Sequence, residues 1–250
     1  MTTSSSVPRL VVLDDPRSFA AEAYRVLRNN LHYANPDVPL RQILVTSSSP
    51  GEGKSTTAAN LALVFAQGDR SVLLVEADLR RPSVHTLFRQ PSTPGLSSYL
   101  VGDAMLEAIL LKSAVPNLSL VTSGPIPPNP AELLASRRMH AFLATVAERF
   151  DVVIIDSPPV LATSDACALA PHVDGVLLVV DSGRTPQVAL KRSRERIEAV
   201  HGRIIGAVLN RFDAGASGYS KRYYDTYDKY YTQSVETPPK GRRAGEARSK

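Results

Sequence analysis

The sequence predicts an α/β protein, a mostly parallel β-sheet with helices on both faces. Strand-like apolar runs alternate with helix-length segments along the chain, as a parallel sheet with crossover helices requires. Several of those runs are unbroken, among them V-V-I-I-D and G-V-L-L-V-V, which suits strands covered on both sides. A length of 250 residues with 43% apolar content is enough for one sizeable domain with its own core.

Taken in order, the polar start M-T-T-S-S-S is no signal peptide, and residues 1–16 read as a flexible N-terminus. A domain over 17–212 follows. It opens on a helix, Phe19–Leu31, within an N-terminal segment 17–34 that runs into the loop N-P-D-V-P. Strands are expected at Ile43–Thr46, Ser71–Glu76, Leu118–Thr122, Asp151–Asp156, Gly175–Asp181 and Ile204–Asn210. Helices fit between them at Ser55–Ala66, Ala131–Arg149 and Gln187–Ala199, with Pro186 opening the last. Pro91–Pro94 and Pro125–Pro130 read as surface loops. Beyond 212 come a tyrosine-rich stretch, 213–231, and a basic tail, 232–250, expected to be disordered.

Composition removes several function classes. The single Cys167, in the apolar run D-A-C-A-L-A, reads as a core residue and leaves no disulfide framework or cysteine metal cluster. The five histidines have no metal-ligand spacing and read as ordinary. No apolar run is long enough to span a bilayer, so the cytoplasm is the expected compartment. The net charge of +5 is modest and gathers in the terminal K-G-R-R-A-G-E-A-R-S-K, so no nucleic-acid partner is expected.

The most informative segment is I-L-V-T-S-S-S-P-G-E-G-K-S-T-T-A-A-N-L-A, residues 43–62. An apolar strand runs into a small-residue loop, then G-K-S, then a helix. That order places backbone N–H groups and a helix N-terminus around an anion. Pro50, Gly51, Glu52, Gly53, Lys54, Ser55 and Thr56 make up the expected phosphate cradle. Lys54 would reach the β- and γ-phosphates of ATP, and the Ser55 hydroxyl would help to hold Mg²⁺. Ser48 stands where the strict G-x-x-x-x-G-K-[ST] pattern has its first glycine.

Two carboxylate groups fit the same site. V-L-L-V-E-A-D-L-R-R-P ends a strand with Glu76 and Asp78, and side chains two apart on an extended segment point the same way. V-V-I-I-D-S-P-P puts Asp156 at the carboxyl end of another buried strand, the edge at which open α/β sheets bind ligands. Ser55, Asp78 and Asp156 are the expected metal-side residues.

Together, S-S-S-P-G-E-G-K-S, V-E-A-D-L-R-R-P and I-I-D-S-P-P resemble the bacterial tyrosine kinases of polysaccharide export, P-loop proteins related to the septum-placing and partitioning ATPases. The resemblance covers roughly residues 17–231. It implies a P-loop NTPase fold and phosphoryl transfer from ATP, with Mg²⁺, to tyrosine. It implies catalytic roles for Lys54, Glu76, Asp78 and Asp156, and an adenine contact at Asn210. The family's second motif begins on aspartate, the suspected base for the attacking hydroxyl, and here Glu76 replaces it. Glu22, Arg25 and Arg28, at steps of three on one helix face, match an element that joins subunits into a ring. The expected partners are other copies of the chain, a membrane activator of polysaccharide synthesis that recruits it to the inner membrane face, a tyrosine phosphatase and tyrosine-bearing proteins.

Six of the nine tyrosines, Tyr219, Tyr223, Tyr224, Tyr227, Tyr230 and Tyr231, fall within thirteen positions of Y-S-K-R-Y-Y-D-T-Y-D-K-Y-Y. The resemblance makes them phosphoacceptors on a tether. A packing helix would use the stripe Tyr219, Tyr223, Tyr227 and Tyr231, but Gly218 and Ser220 disfavour it. A plain ATPase switch, with water as nucleophile, would use the same P-loop residues. A GTPase reading rests on Asn210-Arg211-Phe212-Asp213, and a nucleotide-bound scaffold without chemistry is the remaining alternative.

Overall fold

The computed structural model describes residues 10–33 and 40–212. Residues 1–9 and 34–39, the six clustered tyrosines and the basic tail lie outside the described residues. The chain opens with two helices, α1 (Val11–Asp14) and α2 (Phe19–Tyr33). The first crossover follows, β1 (Gln42–Ser47), α3 (Lys54–Ala66) and β2 (Val72–Glu76). Next come short helices α4 (Val84–Leu87), α5 (Leu96–Val101) and α6 (Leu106–Ile109), then strands β3 (Leu111–Lys112) and β4 (Leu118–Val121). The chain continues through α7 (Pro130–Leu134), α8 (Arg137–Arg149), β5 (Val152–Asp156) and α9 (Asp165–Leu169). It closes with β6 (Gly175–Asp181), α10 (Gln187–Ala199) and β7 (Ile204–Asn210).

The seven strands run in the order β3-β4-β2-β5-β1-β6-β7, parallel throughout except for β3, which pairs antiparallel with β4. Every residue of β1, β2 and β5 is buried, because these central strands are covered on both faces. Alternation along β1 separates the two sides: Ile43 and Val45 face α1, α2 and α3, while Leu44 faces the layer built by α5 to α10. The carboxyl ends of β1, β2 and β5 meet side by side, with Glu76 level with Asp156 in the ladder. That is where an open parallel sheet makes its crevice.

Each of the six expected strands is present within a residue or so at either end. The differences lie in the short antiparallel edge strand β3, which was not expected, in the helices and at the chain start. The expected Ala131–Arg149 helix is broken into α7 and α8, since Ser136 accepts from the Met139 N–H and caps a new helix. From residue 10 on, the expected flexible start is corrected: α1 buries Val12 completely, and the Val12 N–H donates to Asn60 Oδ1 on α3 at 3.1 Å. Cys167 is half-buried rather than fully enclosed, and burial holds its thiol above the ordinary value. No helix among the described residues is long and apolar enough to cross a membrane.

Candidate active site

The loop between β1 and α3 turns on two glycines. Gly51 (φ +83°) and Gly53 (φ +94°) sit in the left-handed region, which side-chain-bearing residues resist. Gly53 also needs the space, because a Cβ there would collide with the Asn210 amide. The loop is braced from behind by Glu52, which is 5% exposed. Its carboxylate accepts from the Ser49 N–H at 3.0 Å and from the Thr185 hydroxyl at 2.6 Å. The sequence placed Glu52 in the cradle; the fold places its side chain beneath it. Asn210 behaves similarly. Its Nδ2 donates to the Glu52 carbonyl at 2.9 Å and its Oδ1 accepts from the Arg211 N–H at 2.9 Å, so its amide holds the loop.

Helix α3 starts at Lys54, so its first N–H groups and its dipole point toward the loop. The Lys54 ammonium lies 2.7 Å from Asp78 Oδ2 and 3.8 Å from Asp156 Oδ1. Burial pulls this ammonium down, but Asp156, Asp78 and Glu76 together hold it above its ordinary value. Asp78 is fixed on its other oxygen, which accepts from the Arg81 N–H at 2.9 Å and from the Arg80 N–H at 3.3 Å.

Asp156 is fully buried, and neither of its oxygens accepts a hydrogen bond among the described residues. Burial pushes its carboxyl up to about 6, against the pull of Lys54 and of the nearby Ser55 hydroxyl. A buried carboxylate with unspent lone pairs is costly unless something cationic faces it. Asp156 and the Ser55 hydroxyl, with Asp78 beside them, therefore fit a hydrated Mg²⁺.

A cleft of about 500 Å³ opens over the loop and the start of α3. Pro50, Gly51, Gly53, Lys54, Ser55, Thr56 and Asp78 line it. Arg80, Arg81, Ser83 and Arg211 line it too. The Arg80 guanidinium is aimed by Asp165, which is fully buried and binds it through two bonds of 2.8 and 3.1 Å. Arg80 stands in the quoted second motif, but no local signal announced Asp165, which lies on α9.

The reading of Glu76 and Asp78 as twin carboxylates facing one pocket is corrected. Asp78 reaches the cleft; Glu76 turns into the protein and is fully buried. Its Oε1 accepts from the Ser83 and Val84 N–H groups at 2.5 Å each, and its Oε2 from the Ser123 N–H at 3.0 Å. Chain reversal after Asp78 brings the start of α4 back over the end of β2, and its free N–H groups need an acceptor there. The longer glutamate arm supplies one. Glu76→Gln would set an amide NH₂ against these donors. We expect it to cost on the order of 2–4 kcal/mol, read as a thermal midpoint lowered by several degrees in a melting curve.

The remaining side chain on Glu76 belongs to His85, read from sequence as ordinary. Its Nδ1 lies 3.3 and 3.2 Å from the two carboxylate oxygens. The expected subunit-contact residues have partners within the chain. Arg25 bonds Glu22 at 2.9 Å and the Pro16 carbonyl at 2.7 Å; Arg28 donates to the Val64 carbonyl near the end of α3 at 2.9 Å.

Comparison with known proteins agrees with this geometry. A family profile described as an AAA domain matches residues 40–205. The tyrosine-protein kinase YwqD of Bacillus subtilis is 41% identical over 222 residues, 88% of this chain and 93% of that protein. The solved kinase domain of Escherichia coli tyrosine kinase ETK is 34% identical with a TM-score of 0.78, covering 85% of each chain. The chimerical protein CapA2B2 is 38% identical with a TM-score of 0.79, over 83% of this chain and 91% of that one. The septum site-determining protein MinD of Pyrococcus horikoshii, at 23% identity and a TM-score of 0.61 over 71% of this chain and 72% of that one, shares the fold alone. With the P-loop, the Lys54–Asp78–Asp156 cluster and these relatives together, the chain belongs to the bacterial tyrosine-protein kinases.

Proposed function

We propose that this chain transfers the γ-phosphoryl group of ATP to tyrosine hydroxyls of its own C-terminal cluster, from one copy to the next. The observation that carries this reading is the juxtaposition of Lys54 at a helix N-terminus with the buried, unsatisfied Asp156. Phosphoryl transfer asks a protein mainly to position reactants and to stabilise spreading negative charge. The loop N–H groups and the start of α3 would bind the β- and γ-phosphates. Lys54 would exchange Asp78 for phosphate oxygens and follow the charge into the transition state. Ser55, Asp78 and Asp156 would hold Mg²⁺, which when bound neutralises charge on the bridging phosphates. Arg80, held rigid by Asp165, adds a second oriented cation at the mouth.

The sequence supplies the acceptor. Six tyrosines near one another give a tethered substrate at high effective concentration. Each phosphate adds roughly −1.5 to −2 charges. A filled cluster would be driven from a mouth that includes Asp78, which supports a cycle in which bare tails dock and phosphorylated tails leave. Within this reading copies of the chain form a ring through the α2 face, where Glu22, Arg25 and Arg28 would add to or exchange their present bonds. A membrane activator of polysaccharide synthesis would hold the chain at the inner membrane face, and a tyrosine phosphatase would reset the tail. The name of the chimerical CapA2B2 relative supports a two-component arrangement.

The test is intact mass of phosphatase-treated protein before and after Mg-ATP, beside a variant with all six clustered tyrosines changed to phenylalanine. We expect phosphate-sized increments in the wild type and none in the variant. Steady ATP hydrolysis without increments would replace the kinase reading by an ATPase switch.

A further inference from the structure

Glu76 occupies the position from which the family resemblance draws its base, yet it is out of reach. It is fully buried and accepts from four backbone N–H groups, those of Ser83, Val84, His85 and Ser123. Asp78 accepts from two N–H groups on one oxygen, and with Asp156 it belongs to the expected metal position. No carboxylate of the cluster is left to receive a proton from an incoming tyrosine.

His85 is placed differently. Its Nδ1 faces both oxygens of Glu76, and a carboxylate only accepts, so Nδ1 carries the hydrogen. That leaves Nε2 as the lone-pair nitrogen, with no partner among the described residues. The side chain is 23% exposed, against none for Glu76. It lies two residues beyond Ser83, which lines the cleft, on the first turn of α4. A buried carboxylate that fixes the tautomer and angle of a partly exposed imidazole is the arrangement by which histidine bases are oriented.

We propose that His85, oriented by Glu76, is the proton acceptor for the attacking tyrosine. The proposal rests on the kinase reading above and deepens it. As the phenolic oxygen bonds to the γ-phosphorus, its O–H bond breaks and the proton passes to His85 Nε2. The bond from the γ-phosphorus to the β–γ bridging oxygen breaks, and ADP leaves with that electron pair. The imidazolium then returns its proton to solvent. Glu76 is a positioning residue in this scheme; one more methylene than aspartate lets it sit in its cage of N–H groups and still reach the imidazole.

The experiment uses the full chain and two acceptor peptides carrying the sequence around Tyr227, one with ordinary tyrosine and one with a ring-fluorinated tyrosine whose hydroxyl is already ionised at neutral pH. His85→Gln keeps a donor for Glu76 but has no basic nitrogen; His85→Ala removes both. A melting curve and the affinity for a fluorescent ATP analogue check that each variant is folded. With ordinary tyrosine, transfer by His85→Gln is expected to fall about a hundredfold. With the fluorinated acceptor it should return to within about threefold of the wild type, since no proton remains to be removed. Equal loss with both acceptors would overturn the proposal and leave His85 a structural partner of Glu76. A wild-type rate in His85→Gln with ordinary tyrosine would overturn it as well. Absence of transfer by the wild type both to the peptides and to its own tail would remove the kinase reading on which it stands.

Discussion

Lys54→Met is expected to abolish phosphoryl transfer and, at neutral pH, to destabilise the fold. The first effect follows from charge: a preorganised cation beside the transferring group is worth about 10²–10³ in rate in comparable sites, and here it also completes phosphate binding. The second follows from what the lysine leaves behind. Asp78 and Asp156, 4% and 0% exposed in their side chains, would face each other without a countercharge. Breaking a buried pair in this way costs on the order of 3–5 kcal/mol, a fall of roughly 6–20 °C in midpoint for a domain this size. The deficit should shrink on acidification. A carboxyl whose folded-state value is raised contributes full stability below its unfolded value and loses it as pH climbs through the folded one. Melting curves at pH 5 and pH 7.5 would show a smaller gap between variant and wild type at the lower pH. A gap that widens on acidification would mean that Asp156 and Asp78 are not the source of the loss.

Asp156→Asn should also end transfer, but with the opposite effect on stability. Without metal and nucleotide, the wild-type protein carries an ionised Asp156 at pH 7 although burial has raised its carboxyl from 3.8 to about 6. By linkage that ionisation costs on the order of 3 kcal/mol, appearing as pH rises from about 4 to about 6 and constant above. Asparagine removes the charge but brings an NH₂ group and leaves Lys54 with one carboxylate fewer. The net gain should be about 1–2 kcal/mol, a midpoint raised by roughly 2–8 °C at pH 7.5 and by nothing below pH 4. Addition of Mg-ATP should stabilise the wild type further and the variant hardly at all, because the metal-side acid is gone. A lower midpoint at pH 7.5 would show instead that Asp156 is held by bonds it does not show here. Loss of function with a gain in stability is the signature expected of a residue kept for chemistry.

How much of this could be read from the chain follows the range of each interaction. The strand runs and the glycine-lysine-serine turn are local: an unbroken apolar run must be covered on both faces, and a loop with Gly51 and Gly53 at positive φ leading into a helix gathers N–H groups wherever it folds. Lys54, Ser55 and Asp156 each stand at the end of such an element, so their positions along the fold follow from local pattern. The break between α7 and α8 was also local in origin, a Ser136 cap that an otherwise helical stretch concealed.

The destination of Glu76 was not local. Two-residue spacing put it beside Asp78, and that held only as far as the end of β2. What turned it inward were donors from Ser83, Val84 and Ser123 together with His85, groups brought to it by the chain reversal after Asp78 and by the neighbouring strand β4. The same holds for Arg80, aimed by Asp165 from another helix, and for Val12, ordered by Asn60 across a gap of 48 residues. The sequence by itself determined the sheet, the phosphate loop and the family, because those rest on backbone donors and apolar patterning a few residues long. Only the tertiary structure decided which carboxylate faces the cleft, which is buried as an anchor and which histidine it holds, because a buried charge goes where distant donors can satisfy it.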